Sequence, residues 1–194
     1  MAKATHFGNC QCCGAFQKLP AGLLSIHGYT VEDGWFSGVC RGTSHLPFQQ
    51  SHALIDQFIA SAEAKIVELN AQIAKLLAPA TEPVGWEHTR TTHRSGKVTD
   101  AWKQVNIIEH NGTIGWMTED RNGRERFNPA YCHSMYGTAL EVATKMNSYR
   151  AEAFRRIVTK TETYIEWQQT RVANWTEQPL VPIMNALAER ERTL

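Results

Sequence analysis

The chain has 194 residues, 42% of them hydrophobic and 20% charged, enough for one ordinary domain or for a small module joined to a helical body. Lysine and arginine together number 20 against 19 acidic residues, so no global positive field holds nucleic acid through counterion release, and local patches must carry any such binding. The opening Met-Ala-Lys-Ala-Thr-His-Phe lacks the apolar core of a signal peptide, and no run approaches about 18 apolar residues, which predicts a cytoplasmic protein without a membrane span.

Residues 1–46 are rich in Gly, Cys and His and show no sustained helical period. Four of the five cysteines crowd into this segment, and in a reducing compartment such clustering favours metal ligation over disulfides. Leu23, Leu24, Ile26 and Tyr29, then Trp35, Phe36 and Val39, predict two short strands separated by the turn residues Glu32-Asp33-Gly34. Such a hairpin brings His27 towards Cys40. Two cysteines three positions apart can wrap one tetrahedral zinc where a glycine follows the second, and Cys10 with Cys13-Gly14 fits that pattern. Adjacent Cys12 is then a spare. Cys40 and one histidine complete the set, with His27 ranked first and His45 and His6 as alternatives. Four protein ligands close the site and make the zinc structural, and Ala15 to Pro20 do not form the helix that a redox-active C-x2-C pair requires.

From Ser51 to Ala78 the pattern changes. Ile55, Ile59, Ala62, Ile66, Leu69, Ile73 and Leu76 recur at steps of four and three, the seam of a coiled coil or helical hairpin, with Ser51 as N-cap and Pro79 as the stop. A helix of that length, on the order of 40 Å, needs a second long helix to cover its stripe, from the same chain or from a homodimer partner. Residues 79–98 read as a loop, because Pro79, Pro83, Gly85 and Gly96 punctuate them. Within it Trp86, Arg90, His93, Arg94 and Lys97 interleave aromatic and basic groups, suited to nucleic-acid backbone contact and base stacking.

Residues 101–127 predict a three-stranded β-meander with two-residue turns at Asn111-Gly112 and Asn122-Gly123, Val105 and Ile107 alternating on its first strand and Ile114 and Trp116 on its second. Cys132, far from the other thiols, reads as a small buried side chain. Between about Thr138 and Glu177 a second helix is expected, its stripe running through Val142, Met146, Tyr149, Ala153, Ile157, Tyr164, Gln168, Val172 and Trp175. Gln168 is the polar member that can fix its register. Beyond Pro179, Leu180, Val181, Ile183, Met184 and Leu187 predict a short amphipathic helix.

Cys10 to Gly14, Leu24-Ser25-Ile26-His27-Gly28-Tyr29, Gly34-Trp35-Phe36-Ser37-Gly38-Val39-Cys40-Arg41-Gly42 and Pro47 resemble an uncharacterised family of small phage, prophage and plasmid proteins with an N-terminal zinc-finger-like segment. Tyr149-Arg150 and Tyr164-Ile165-Glu166-Trp167-Gln168 are similar to its C-terminal helix, less specifically. The resemblance implies a mobile-element origin, a bacterial host cell and a metal-binding N-terminus, favours His27 over His45, and supplies no reaction.

The expectation is an α+β protein: a zinc-ribbon-like module at 1–46, then a body at 47–194 made of a long antiparallel, coiled-coil-like helical pair with the meander inserted at about 101–127. Its expected function is non-catalytic, zinc-stabilised binding of a host protein. A nucleic-acid-binding accessory protein using the zinc module and the 86–97 loop is the alternative, and a metal-dependent hydrolase with an open zinc is a further one. No G-x-S-x-G, P-loop, dinucleotide glycine motif or His-Glu-x-x-His occurs, and no catalytic residue is assigned.

Overall fold

A computed structural model describes residues 3–30, 36–94, 96, 98–120 and 122–183. The protein is α+β, with two long helices and antiparallel strands, and its chain divides into two compact units, Met1–Glu63 with Thr163–Leu194, and Ala64–Glu162. Among the described residues no helix is long and apolar enough to cross a membrane.

In the first unit, β1 (His6–Asn9) pairs with β2 (Phe16–Lys18) on one side and with β9 (Val181–Pro182) on the other. The β9 strand corrects only the start of the helix expected after Pro179: Val181 and Pro182 pair with β1 at His6 and Phe7, and Ile183 N–H donates to Thr5 O. An edge strand tolerates the proline at 182. Met184 and Leu187 lie outside the described residues. A separate hairpin joins β3 (Gly28–Thr30) to β4 (Phe36–Val39); of the first apolar run only Tyr29 lies in it, and Leu23, Leu24 and Ile26 precede it outside any strand. Its turn at Glu32-Asp33-Gly34 also lies outside the described residues.

The helix α1 (Ala53–Leu77) begins in this unit, and Ser51 Oγ accepts a bond from Ala53 N–H, so the expected cap residue takes part. A second donor of the first turn, Leu54 N–H, is satisfied by the Gln11 side chain at 2.9 Å. Ile55, Ala62 and, in the second unit, Leu69 and Ile73 are all buried within the one chain, so the seven-residue seam faces inward as read.

The second unit holds a four-stranded sheet in the order β5 (Val84–Thr92), β6 (Val98–His110), β7 (Thr113–Glu119), β8 (Glu125–Pro129). Three of these strands are the expected meander; β5 corrects the loop expected at 79–98. Val84, Trp86 and three threonines are good strand formers, and Gly85, taken for a loop signal, sits inside the strand because any Cβ there would collide with Met146. At Asn111-Gly112 both residues have positive φ, as a tight hairpin turn demands. The second turn is longer than the two residues expected, because Glu119 pairs with Glu125 and Asp120 Oδ1 gathers the N–H groups of Asn122 and Arg124.

The sheet packs Val105, Ile107 and Trp116 against Val142, Ala143 and Met146 of α2 (Ala139–Ala173). Farther along, Leu69 and Ile73 of α1 meet Ala151 and Val158 of α2, and Ala80 N–H reaches Thr144 Oγ1 just past the end of α1, so the helices run antiparallel within this unit. The stripe of α2 needs a correction between 149 and 157. Tyr149 and Ile157 are about half exposed, while Ala151, Val158 and Ile165, at steps of seven, are buried. The seven-residue spacing keeps this face turned to α1, and small Ala151 lets the helices approach. Cys132 is exposed in a 3-10 turn over Ala130–His133, not buried as expected.

Candidate metal centre

Four donor side chains converge in the first unit: the sulfurs of Cys10, Cys13 and Cys40 and a ring nitrogen of His27 all lie within 4.8 Å of one another. The Cys10 and Cys40 sulfurs are 3.8 Å apart. A tetrahedral ion with metal–sulfur bonds of about 2.3 Å sets its thiolates about 3.8 Å apart, so this pair has the spacing such an ion requires.

Two tight turns supply the thiols. In the first, Gly14 N–H donates to Cys10 O at 3.0 Å with Gly14 in the left-handed region, and the N–H groups of Cys12 and Cys13 face the Cys10 sulfur. In the second, Thr43 N–H donates to Cys40 O at 3.0 Å while Gly42 N–H faces the Cys40 sulfur. These N–H groups favour thiolate over thiol. The β3–β4 hairpin delivers the third element, because Cys40 N–H donates to His27 O at 2.8 Å.

The imidazole carries the most direct sign of a ligand. His27 Nδ1 lies 2.8 Å from Ser25 O, which fixes the proton on Nδ1 and leaves a lone pair on Nε2. Among the described residues that Nε2 is buried and makes no hydrogen bond of ordinary geometry, with the cysteine sulfurs as its polar neighbours. Buried polar atoms are almost always satisfied, and a metal ion among the three sulfurs is the partner this one fits.

The thiols are otherwise poor acids. A hydrogen bond with the Cys12 thiol, reinforced by burial, pushes Cys10 up to about 12; burial drives Cys40 to about 12 and also raises Cys13. A cation in the cluster reverses that balance by binding the thiolate forms. Cys12, its acidity increased by the hydrogen bond with Cys10, stays outside the four-donor set, as the sequence indicates.

Comparison with protein-family models, with curated proteins and with solved structures finds no match to this chain.

The two alternative histidines lie outside the four-donor set. His45 Nδ1 is 2.9 Å from Thr43 O, and His6 Nδ1 is 2.9 Å from Thr5 Oγ1. The residues proposed for nucleic-acid contact are spread over the second unit: Trp86 and Arg90 lie on β5, exposed His93 bonds Thr99 Oγ1, Arg94 is exposed, and Lys97 lies outside the described residues.

Sequence reasoning missed the groups that hold the first cysteine turn. Three successive carbonyls of that turn are captured by the last turns of α2. Arg171 donates to Gln11 O at 2.7 Å and to Cys10 O at 3.2 Å, while Gln168 and Tyr164 both donate to Cys12 O. Gln168 is buried and also accepts from Arg171, and the guanidinium lies against the Phe48 and Trp167 rings. Gln11, equally buried, ties the same turn to Leu46 O and to the start of α1. The signal in the sequence was Gln168 itself, a polar side chain on an apolar stripe.

Beside the centre is a cavity of about 480 Å³ whose walls include Cys12, Val39, Arg41, Phe58, Tyr164 and Trp167. Val39 and Trp167 are exposed there.

Proposed function

We propose that the protein is a non-catalytic, zinc-stabilised binding protein of phage or mobile-element origin that acts on a host protein. The observation that carries the zinc is the orphaned Nε2 of His27 facing three clustered sulfurs. Three thiolates and one imidazole are a structural donor set for zinc and fill all four tetrahedral positions, leaving none for substrate or water. Three thiolates on a divalent ion leave one negative charge, and the Arg171 guanidinium on the adjoining carbonyls offsets it. The centre therefore acts as a scaffold, with a zinc-ribbon-like arrangement of two cysteine turns and a hairpin.

What the scaffold presents is the cavity with Trp167, Val39 and Arg41. Exposed Trp and Arg beside a concave apolar wall are the composition of a protein-binding hot spot, and Arg41, which enters no ion pair among the described residues, favours a partner segment that carries an apolar side chain next to a carboxylate.

Elemental analysis of protein purified from bacterial cells should give one zinc per chain, and the cobalt-substituted protein should show the intense absorption of tetrahedral thiolate ligation. Absence of stoichiometric metal sinks the scaffold reading. For the partner, affinity purification from a bacterial host is run in parallel on the wild type, Trp167→Ala and Arg41→Glu. A host protein retained by the wild type and lost from both variants, with zinc content unchanged, supports the reading; identical recovery on all three defeats it.

A further inference from the structure

The second unit contains a smaller cavity, of about 250 Å³, between the sheet and α2, with Trp86, Trp102, Trp116 and Tyr149 among its walls and one carboxylate, Glu87. It shares no residue with the metal centre, and nothing in the proposed function uses it. Its volume lies below the roughly 300 Å³ at which drug-sized sites begin, so its occupant is a single small ring system.

Glu87 sets the chemistry. Its Oε1 accepts from Trp116 Nε1 at 2.9 Å and from Asn128 Nδ2 at 3.3 Å, both neutral donors, and it enters no ion pair among the described residues. A carboxylate has about four acceptor positions, so about two remain for a ligand that brings N–H donors. Beside it the two imidazoles are oriented by their own partners, His88 by Asp100 at 2.9 Å and His133 by Asn128 at 3.1 Å. Glu87 is thus an oriented acceptor with open positions in the cavity wall.

Arg150 decides between a cationic and a neutral ligand. Its guanidinium lies over Trp102 at 4.8 Å and Trp86 at 5.4 Å, with a buried Nε that has no hydrogen-bond partner. The aromatic wall therefore already holds one positive charge, and a second cation would be repelled. A neutral flat heterocycle meets no such penalty: it stacks on aromatic faces and directs its donor edge to Glu87. Of the common nucleobases, guanine alone carries two adjacent donors on one edge, the ring N1–H and the N2 amino group.

We propose that this cavity binds one unstacked guanine base, its donor edge on Glu87 and its ring against Trp86 and Tyr149. The base comes from a free guanine nucleotide or from a guanine in single-stranded nucleic acid. Arg90 on β5 and Lys103, directly opposite Glu87 on β6, enter no ion pair among the described residues and are the cations available to its phosphate.

Intrinsic tryptophan fluorescence of the full-length zinc-loaded chain reads the binding. Saturable quenching is expected with GMP, at least tenfold weaker binding with IMP, which lacks the N2 amino group, and none with AMP. Glu87→Gln keeps an acceptor for Trp116 and should lower GMP affinity at least tenfold; Tyr149→Leu, at a half-exposed position that threatens no core, should lower it as well. Tighter, salt-sensitive binding of the pentamer TTGTT than of GMP, with TTATT inert, assigns the base to a single strand, and equal binding of TTGTT and GMP assigns it to the free nucleotide. Equal affinity for GMP and AMP, Glu87→Gln binding GMP like the wild type, or no saturable quenching by either GMP or TTGTT overturns the proposal.

Discussion

Gly42 has no room for a side chain, because a Cβ built there would overlap the Cys10 sulfur. Gly42→Ala must therefore push the two cysteine turns apart, and zinc retention against a competing chelator is expected to fall at least tenfold while the far-UV circular dichroism of the helices stays close to the wild type. His27 offers a chemical test of the same centre. His27→Ala leaves three thiols and should lose zinc, whereas His27→Cys supplies a fourth thiolate and should keep it; His45→Ala and His6→Ala, whose rings bond elsewhere, should behave as the wild type in the same chelator titration. At this scale much of the site was legible. The spacing of Cys10 and Cys13, the trailing Gly14, and the strand that carries His27 to Cys40 all follow from local rules. What stayed hidden was long-range: Arg171, Gln168 and Tyr164 act on backbone carbonyls more than 150 positions away, and no local pattern encodes such a partner. Cys132 misled for a related reason, since burial depends on what packs over a turn and not on residue type alone.

The start of α2 shows how an element is fixed by four residues. Thr138 Oγ1 accepts from Glu141 N–H at 3.3 Å, and the Glu141 carboxylate accepts from Thr138 N–H at 2.7 Å, a reciprocal capping box written in the sequence as Thr-Ala-Leu-Glu. Thr138→Ala is expected to cost about 1 kcal/mol in denaturant unfolding. The N–H and hydroxyl of Thr138 hold the Glu141 carboxyl below its ordinary value of 4.5, which gives the pH dependence a definite sign. A group whose pKa is lower folded than unfolded contributes its stability above the unfolded value and loses it as pH falls through the folded value. Wild type should accordingly melt above Glu141→Gln at pH 7, with the gap closing as the pH is lowered below the folded pKa of Glu141; a gap that persists at low pH contradicts the capping role. Other elements were legible by the same kind of local reasoning. The seam of α1 and the turn at Asn111-Gly112 stand where periodicity and turn chemistry put them. β5 was missed because Gly85 was taken for punctuation, when it marks the close approach of Met146, and β9 was missed because two residues of strand carry no period at all. The wrong phase of α2 between Tyr149 and Ile157 arose because an apolar residue on each of two neighbouring faces satisfies the same spacing, and only the presence of α1 selects one.

Over the whole chain, the two compact units draw on different sources of stability. The second has apolar clusters of its own, with Val105, Ile107 and Trp116 on the sheet and Leu69, Ile73 and Val158 between helices. The first has a small core in which Cys10 and Cys40 are themselves members beside Leu19 and Leu24, so two of the four candidate metal ligands are also core residues. If the proposed ion is bound, a segment with so little apolar surface is expected to depend on it, because metal binding and folding are then one free-energy change. On the proposed reading, removal of zinc would free three thiolates, those of Cys10 and Cys40 buried, to take up protons and would leave the His27 ring without its partner. It also loosens the turn whose carbonyls hold Arg171, Gln168 and Tyr164. Hydrogen exchange followed by mass spectrometry, with and without chelator, should therefore show faster exchange in peptides covering 6–18, 36–50 and 164–175. Peptides covering 98–119 should exchange at the same rate in both states, since β6 and β7 belong to the other compact unit and its own apolar cluster. Uniform acceleration across all peptides would mean that the ion supports a single cooperative fold, and no acceleration at 6–18 would mean that the N-terminal segment holds its shape without it.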